Sequence, residues 1–215
     1  MESASLSVND PVLCEVIEAL ATTDAGEPCA ICRLAARSAT RAVREIFSEF
    51  VNDPQARDKF RATGGFCQFH TPMVEATGDA LGVAILYSDL ARLAIESLEG
   101  TKPRSLLRSP KPKPCLCCTA ETEASARYLQ SLADAANTAE LELSGFCRLH
   151  HQSLCKMLPP AIKEKLFVQE AAYLKRLQAE LEEIIRKNDY RFRHEEWGDE
   201  RDAWRRALAK LRRVG

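Results

Sequence analysis

The sequence predicts an all-α protein, on three observations. Alanine and leucine number 55 of the 215 residues against 17 for valine and isoleucine, a balance that favours helix over strand. Apolar residues recur at the 3.6-residue period in successive windows. With 46% hydrophobic and 28% charged residues and only 19 glycines plus prolines, the chain is neither disordered nor fibrous.

The elements follow in order. Asp10-Pro11 reads as a cap and first helical position, and Val12, Leu13, Val16, Ile17 and Leu20 trace one stripe, with Cys14 expected in the core beside them. After Cys32, the positions Ala39, Val43, Ile46, Phe47 and Phe50 keep the helical period until Asn52-Asp53-Pro54 stops that helix and caps the next. This second one ends at Gly64-Gly65. Residues 80–98 are apolar around much of their circumference and predict a central core helix. Ala124, Tyr128 and Leu132 mark a helix in the second half. Residues 161–188 predict a long amphipathic helix with Phe167, Ala171, Leu174, Leu177, Leu181 and Ile184 inward. The C-terminal segment alternates aromatic with charged residues, and Trp197 and Trp204, with Leu208 and Leu211, are expected to dock inward as a strap.

Nine cysteines bear on function. No basic start followed by an apolar run opens the chain, so a secretory leader is not expected and the compartment predicted is the reducing cytoplasm. There, cysteines point to metal ligation or thiol chemistry and not to a disulfide framework. Pro28-Cys29-Ala30-Ile31-Cys32 recurs as Pro114-Cys115-Leu116-Cys117-Cys118, and Gly65-Phe66-Cys67-Gln68-Phe69-His70 recurs as Gly145-Phe146-Cys147-Arg148-Leu149-His150. An internal duplication follows. It divides the chain into an N-terminal helix with the first repeat (1–100), a Pro-rich basic linker (101–114), a second repeat (115–188) and the strap with the last helix (189–215).

Ligands three residues apart at a helix start lie on one side, one turn apart, and thiolates with imidazole suit tetrahedral zinc. The eight candidates are Cys29, Cys32, Cys67, His70, Cys115, Cys118, Cys147 and His150. Two zinc ions per chain are expected, each in a closed and therefore structural site, with iron–sulfur clusters as the alternative. Pairing within each copy is favoured. Each copy is then a helical hairpin pinned by one metal, the two packed as one bundle with the C-terminal segment docked on it. Cys117 is read as a spectator, and His151 with Cys155 as packing. Arg191, Arg193 and His194 are a second candidate site, for an anion or a partner peptide.

A formal net charge of −1 and the lack of stacking aromatics on the basic face of the last helix argue against nucleic acid. The longest uncharged apolar stretch, residues 80–88, is nine residues, too short for a bilayer. No phosphate loop or serine-hydrolase motif is present, and no catalytic residue is assigned; a hydrolase built on His194 with Glu195 or Glu196 is the weakest reading. A zinc-stabilised module that binds a protein partner is favoured over a redox or metal-handling protein. A homo-oligomer is compatible with the sequence.

These motifs, with the segment Gly78-Asp79-Ala80-Leu81-Gly82-Val83, the run Asp189-Tyr190-Arg191-Phe192-Arg193-His194 and Asp202-Ala203-Trp204-Arg205-Arg206, resemble a bacterial family known as a domain of unknown function. The resemblance covers residues 27–206 and implies no established activity. That family has Cys-Pro-x-Cys in the first arm, where this chain has Ala30 and Leu116.

Overall fold

A computed structural model describes residues 10–22, 29–99, 113–138, 141 and 143–212, and all regular structure among them is helical. Among the described residues nine α-helices occur in the order α1 (Pro11–Ala21), α2 (Ala30–Glu45), α3 (Pro54–Thr63), α4 (Thr71–Glu75), α5 (Ala80–Glu99), α6 (Leu116–Ala136), α7 (Arg148–Met157), α8 (Pro160–Lys187) and α9 (Ala203–Leu211). A π-turn (Ile46–Phe50) extends α2, and a 3-10 turn (Asp199–Asp202) precedes α9.

The chain divides into two compact units, one made of Met1–Leu34 with Ser125–Gly215 and the other of Ala35–Ala124. The boundaries fall inside α2 and α6. They do not coincide with the repeats read from the sequence, and residues 101–112 of the basic linker lie outside the described residues.

In the first unit Asp10 caps α1, accepting from the Val12 N–H at 2.9 Å. Its other carboxylate oxygen accepts from Ser131 of α6 at 2.7 Å, and Tyr128 donates to Glu15 at 2.8 Å, so two polar contacts tie α1 to α6. Arg33 donates to the carbonyls of Ala19 and, at 2.9 Å, Thr22, which satisfies the otherwise orphaned end of α1. Leu13, Val16 and Ala19 are the buried face of α1; Cys14 is exposed, not in the core as expected.

In the second unit Phe60 packs on Phe66 (centroids 5.2 Å apart) and on Tyr87 (5.5 Å), and both rings join Ile46 and Leu86 in one core cluster. Asp89 of α5 accepts from Arg57 and Arg61 of α3, each at 2.7 Å. Gly82 lets α5 approach closely: a Cβ there would lie 2.5 Å from both Phe47 and Asp79. The expectation of a core helix holds only for the first half of α5. Its buried residues are Gly82 and Leu86, while Leu93, Ile95 and Leu98 are exposed.

The strap docks differently from expectation. Trp197 and Trp204 are each 47% exposed, and Leu208 and Leu211 face solvent. Buried instead are Ala203, Ala209 and Lys210. Lys210 pairs with Glu170, Arg206 with Glu180 at 2.7 Å, and Lys187 with Glu200 at 2.6 Å, so charge pairs join α8 to the segment after it. Of the α8 stripe, Leu177 is buried and Phe167 is exposed; Leu166 takes the inward place.

Candidate metal centres

Each arm builds the same turn. The carbonyl of the first cysteine accepts from the backbone N–H four residues on, in Cys29–Arg33, Cys67–Thr71, Cys115–Thr119 and Cys147–His151, at 2.9–3.1 Å. This helical turn places the ligand at the third position on the same side. Cys29 and Cys115 immediately precede α2 and α6, Cys147 is the N-cap of α7, and His70 is the N-cap of the short α4.

The arms assemble crosswise. Cys29, Cys32, Cys147 and His150 form cluster 1, and Cys67, His70, Cys115 and Cys118 form cluster 2, with the ligand atoms of each within 4.8 Å of one another. Every cluster therefore joins the first arm of one copy to the second arm of the other, and the within-copy pairing is overturned. A return from α3 to the first arm needed extended chain after that helix. Instead Gly64 (φ 75°) and Gly65 (φ 99°) turn tightly, Gly65 donates back to Phe60, and Phe66 packs beside Phe60. Cys67 thus stays in the second unit, beside the start of α6.

The interatomic edges fit a tetrahedral ion. Zinc with Zn–S of about 2.3 Å and Zn–N of about 2.0–2.1 Å requires S···S edges of about 3.8 Å and S···N edges of about 3.6 Å. In cluster 2 the sulfur edges are 3.5, 3.7 and 3.8 Å and the His70 Nδ1 edges 3.2, 3.4 and 3.5 Å. In cluster 1 Cys32 and Cys147 lie 3.7 Å apart, and His150 Nδ1 is 3.3–3.4 Å from all three sulfurs. Both donor sets are three thiols and one imidazole.

The electrostatics also suit a cation. Burial opposes ionisation of Cys115, but hydrogen bonds from the Cys67 and Cys118 groups outweigh it and lower that thiol to about 6. Burial, then hydrogen bonding to Cys115, pushes Cys118 up to about 12. In cluster 1 the hydrogen bonds from Cys29 and Cys32 hold Cys147 low, and the same pairing with Cys147 drives Cys32 up. Burial disfavours both charged imidazoles, yet Glu121 raises His70 to about 8 and Cys147 raises His150 to about 9. Without an ion each cluster thus pairs one thiolate with a protonated imidazole, and a metal ion would take the place of the imidazole proton.

Residues around the ligands differ. His70 Nε2 lies 3.2 Å from Glu121 Oε1, a carboxylate–imidazole contact that orients the ring with Nδ1 toward the sulfurs. Sequence reading missed Glu121, although its place three residues after Cys118 on α6 puts it on the ligand face. In cluster 1 Arg212 donates to Cys32 Sγ at 2.8 Å, and buried Lys210 donates to the carbonyl of Phe146, next to Cys147.

Cys117 is fully buried in the core beside Cys115, and burial raises its thiol to about 12; it belongs to neither ligand group. His151 and Cys155 lie 3.8 Å apart, and among the described residues no third ligand atom groups with them. Arg191 turns onto Asp189 at 2.7 Å, while Arg193 and His194 are exposed. No helix among the described residues is long and apolar enough to cross a membrane.

Residues 109–214 match the family described as "Family of unknown function (DUF6062)". That stretch holds one arm of each cluster. The chain is also 30% identical over 193 residues to the uncharacterized 23.9 kDa protein in the xynA 3' region of Caldicellulosiruptor sp. (strain Rt8B.4), covering 84% of this chain and 92% of that one. No solved structure matches.

Proposed function

The chain belongs to the family of unknown function DUF6062, and from its crossed ligand sets we propose that it is a zinc-stabilised helical module acting by binding a protein partner in the cytoplasm. The observation that carries the reading is the pair of Cys3His quartets whose edges match tetrahedral zinc. Four protein ligands leave no open position for water or substrate, so each ion would be structural. Cys29, Cys32, Cys147 and His150 would hold one, and Cys67, His70, Cys115 and Cys118 the other. Bound zinc would supply the cross-links that join chain segments far apart in sequence. Partner binding is supported by α9, whose Trp204, Leu208 and Leu211, four and three residues apart, present one apolar stripe to solvent.

Elemental analysis of untagged protein tests the metal reading. Two zinc atoms per chain and a colourless solution are expected. A brown protein containing iron and acid-labile sulfide would favour the redox alternative, and a stoichiometry of one or zero would overturn the two-site reading.

A further inference from the structure

The two clusters share a donor set but not their surroundings. A zinc ion with three thiolates carries a net charge of −1. At cluster 1 the Arg212 guanidinium on Cys32 Sγ brings that to neutral, and its hydrogen bond draws on the thiolate lone pair. Lys210, 3% exposed, holds the carbonyl of Phe146, so the end of the C-terminal helix grips both arms, Arg212 the first and Lys210 the second. Cys29, Cys147 and His150 are buried as well, and Cys32 is the one partly exposed sulfur of this cluster, with the Arg212 guanidinium on it. At cluster 2 the charged neighbour is Glu121, which brings the local charge to −2, and two of the sulfurs, Cys67 and Cys118, are partly exposed.

Thiolates that are more negative and more accessible are the better nucleophiles. We propose that cluster 2 is the protein's modifiable site, whose Cys67 and Cys118 react with soft electrophiles and release their zinc, while cluster 1 is locked by the C-terminal helix. This rests on the zinc reading. With a maleimide, the sulfur forms an S–C bond to one alkene carbon, the other alkene carbon takes a proton from water, and the zinc–sulfur bond breaks.

The test uses the full chain with the exposed Cys14 replaced by serine (Cys14→Ser), loaded with two zinc ions and treated with excess N-ethylmaleimide. Released zinc is followed with a chromogenic chelator, and labelled cysteines are mapped by mass spectrometry. One zinc is expected to leave in a fast phase together with labelling of Cys67 and Cys118, and the other about tenfold or more slowly. Arg212→Gln is expected to speed labelling of Cys32 by about tenfold while leaving the fast phase unchanged. Glu121→Gln is expected to slow the fast phase, and circular dichroism checks that each variant keeps its helices. Two bound zinc ions with Cys32 labelled as fast as Cys67 and Cys118, or an Arg212→Gln rate equal to the native one, would overturn this proposal alone. Fewer than two bound zinc ions would overturn it together with the zinc reading.

Discussion

Replacing Lys210 by methionine is expected to destabilise the first unit severely, for a reason that can be worked from its surroundings. The ammonium is 3% exposed and bonds to two groups, the carboxylate of Glu170 and the carbonyl of Phe146. Methionine fills most of the space but makes neither bond, and the Glu170 side chain, 13% exposed, is left charged beside it. Breaking one partner of a buried pair in this way costs about 3–5 kcal/mol. At about 2–4 °C per kcal/mol for a chain of this size, the melting temperature falls by about 6–20 °C. The double variant Lys210→Met/Glu170→Leu removes both charges and should recover most of that loss, because a well-packed apolar pair is about as stable as the buried ion pair. Thermal and urea denaturation at fixed zinc, followed by far-ultraviolet circular dichroism, measures all three proteins. A single variant within about 1 kcal/mol of native, or a double variant less stable than the single, would refute the argument.

Three other outcomes follow from particular contacts. Gly82→Ala forces its Cβ against Phe47 and Asp79 and should cost about 1–3 kcal/mol by urea denaturation; an unchanged midpoint would contradict the close approach of α5. Trp204→Ala should cost about 1 kcal/mol or less, since the ring is half exposed, and acrylamide should quench its fluorescence readily in the native protein; strong shielding would restore the anchoring role. Lys187, then the Gly198 N–H, hold Glu200 down at about 2, below the usual glutamate value of 4.5. A lowered folded pKa contributes stability that is present above about 4.5 and is lost as the pH falls toward 2. The stability gap between native protein and Glu200→Gln should therefore be full at neutral pH and close across that window, and a gap independent of pH would show that Glu200 is not ionised there.

The local half of this protein was legible in its sequence. Helix content, the Asp10 and Asp53 caps, the Gly64 stop and the turn of each of the four Cys/His arms are set by neighbours within four residues, and the helical turn that puts residue i beside residue i+3 repeats in all four arms. What each arm meets is a long-range matter. The positive-φ turn at Gly64-Gly65 and the packing of Phe66 on Phe60 keep Cys67 in the second unit, and no spacing rule contains that contact. The amphipathic pattern of α9 misled for a related reason. A helix with both an apolar and a basic stripe can bury either one, and the stripe that is buried depends on its neighbour. Here α8 presents Glu170 and Glu180, so Lys210 and Arg206 turn inward and Trp204, Leu208 and Leu211 are left in solvent. Charge pairing between residues 26 and 40 apart in sequence, on two different helices, leaves no periodic trace in either helix alone, so only the tertiary structure could decide it.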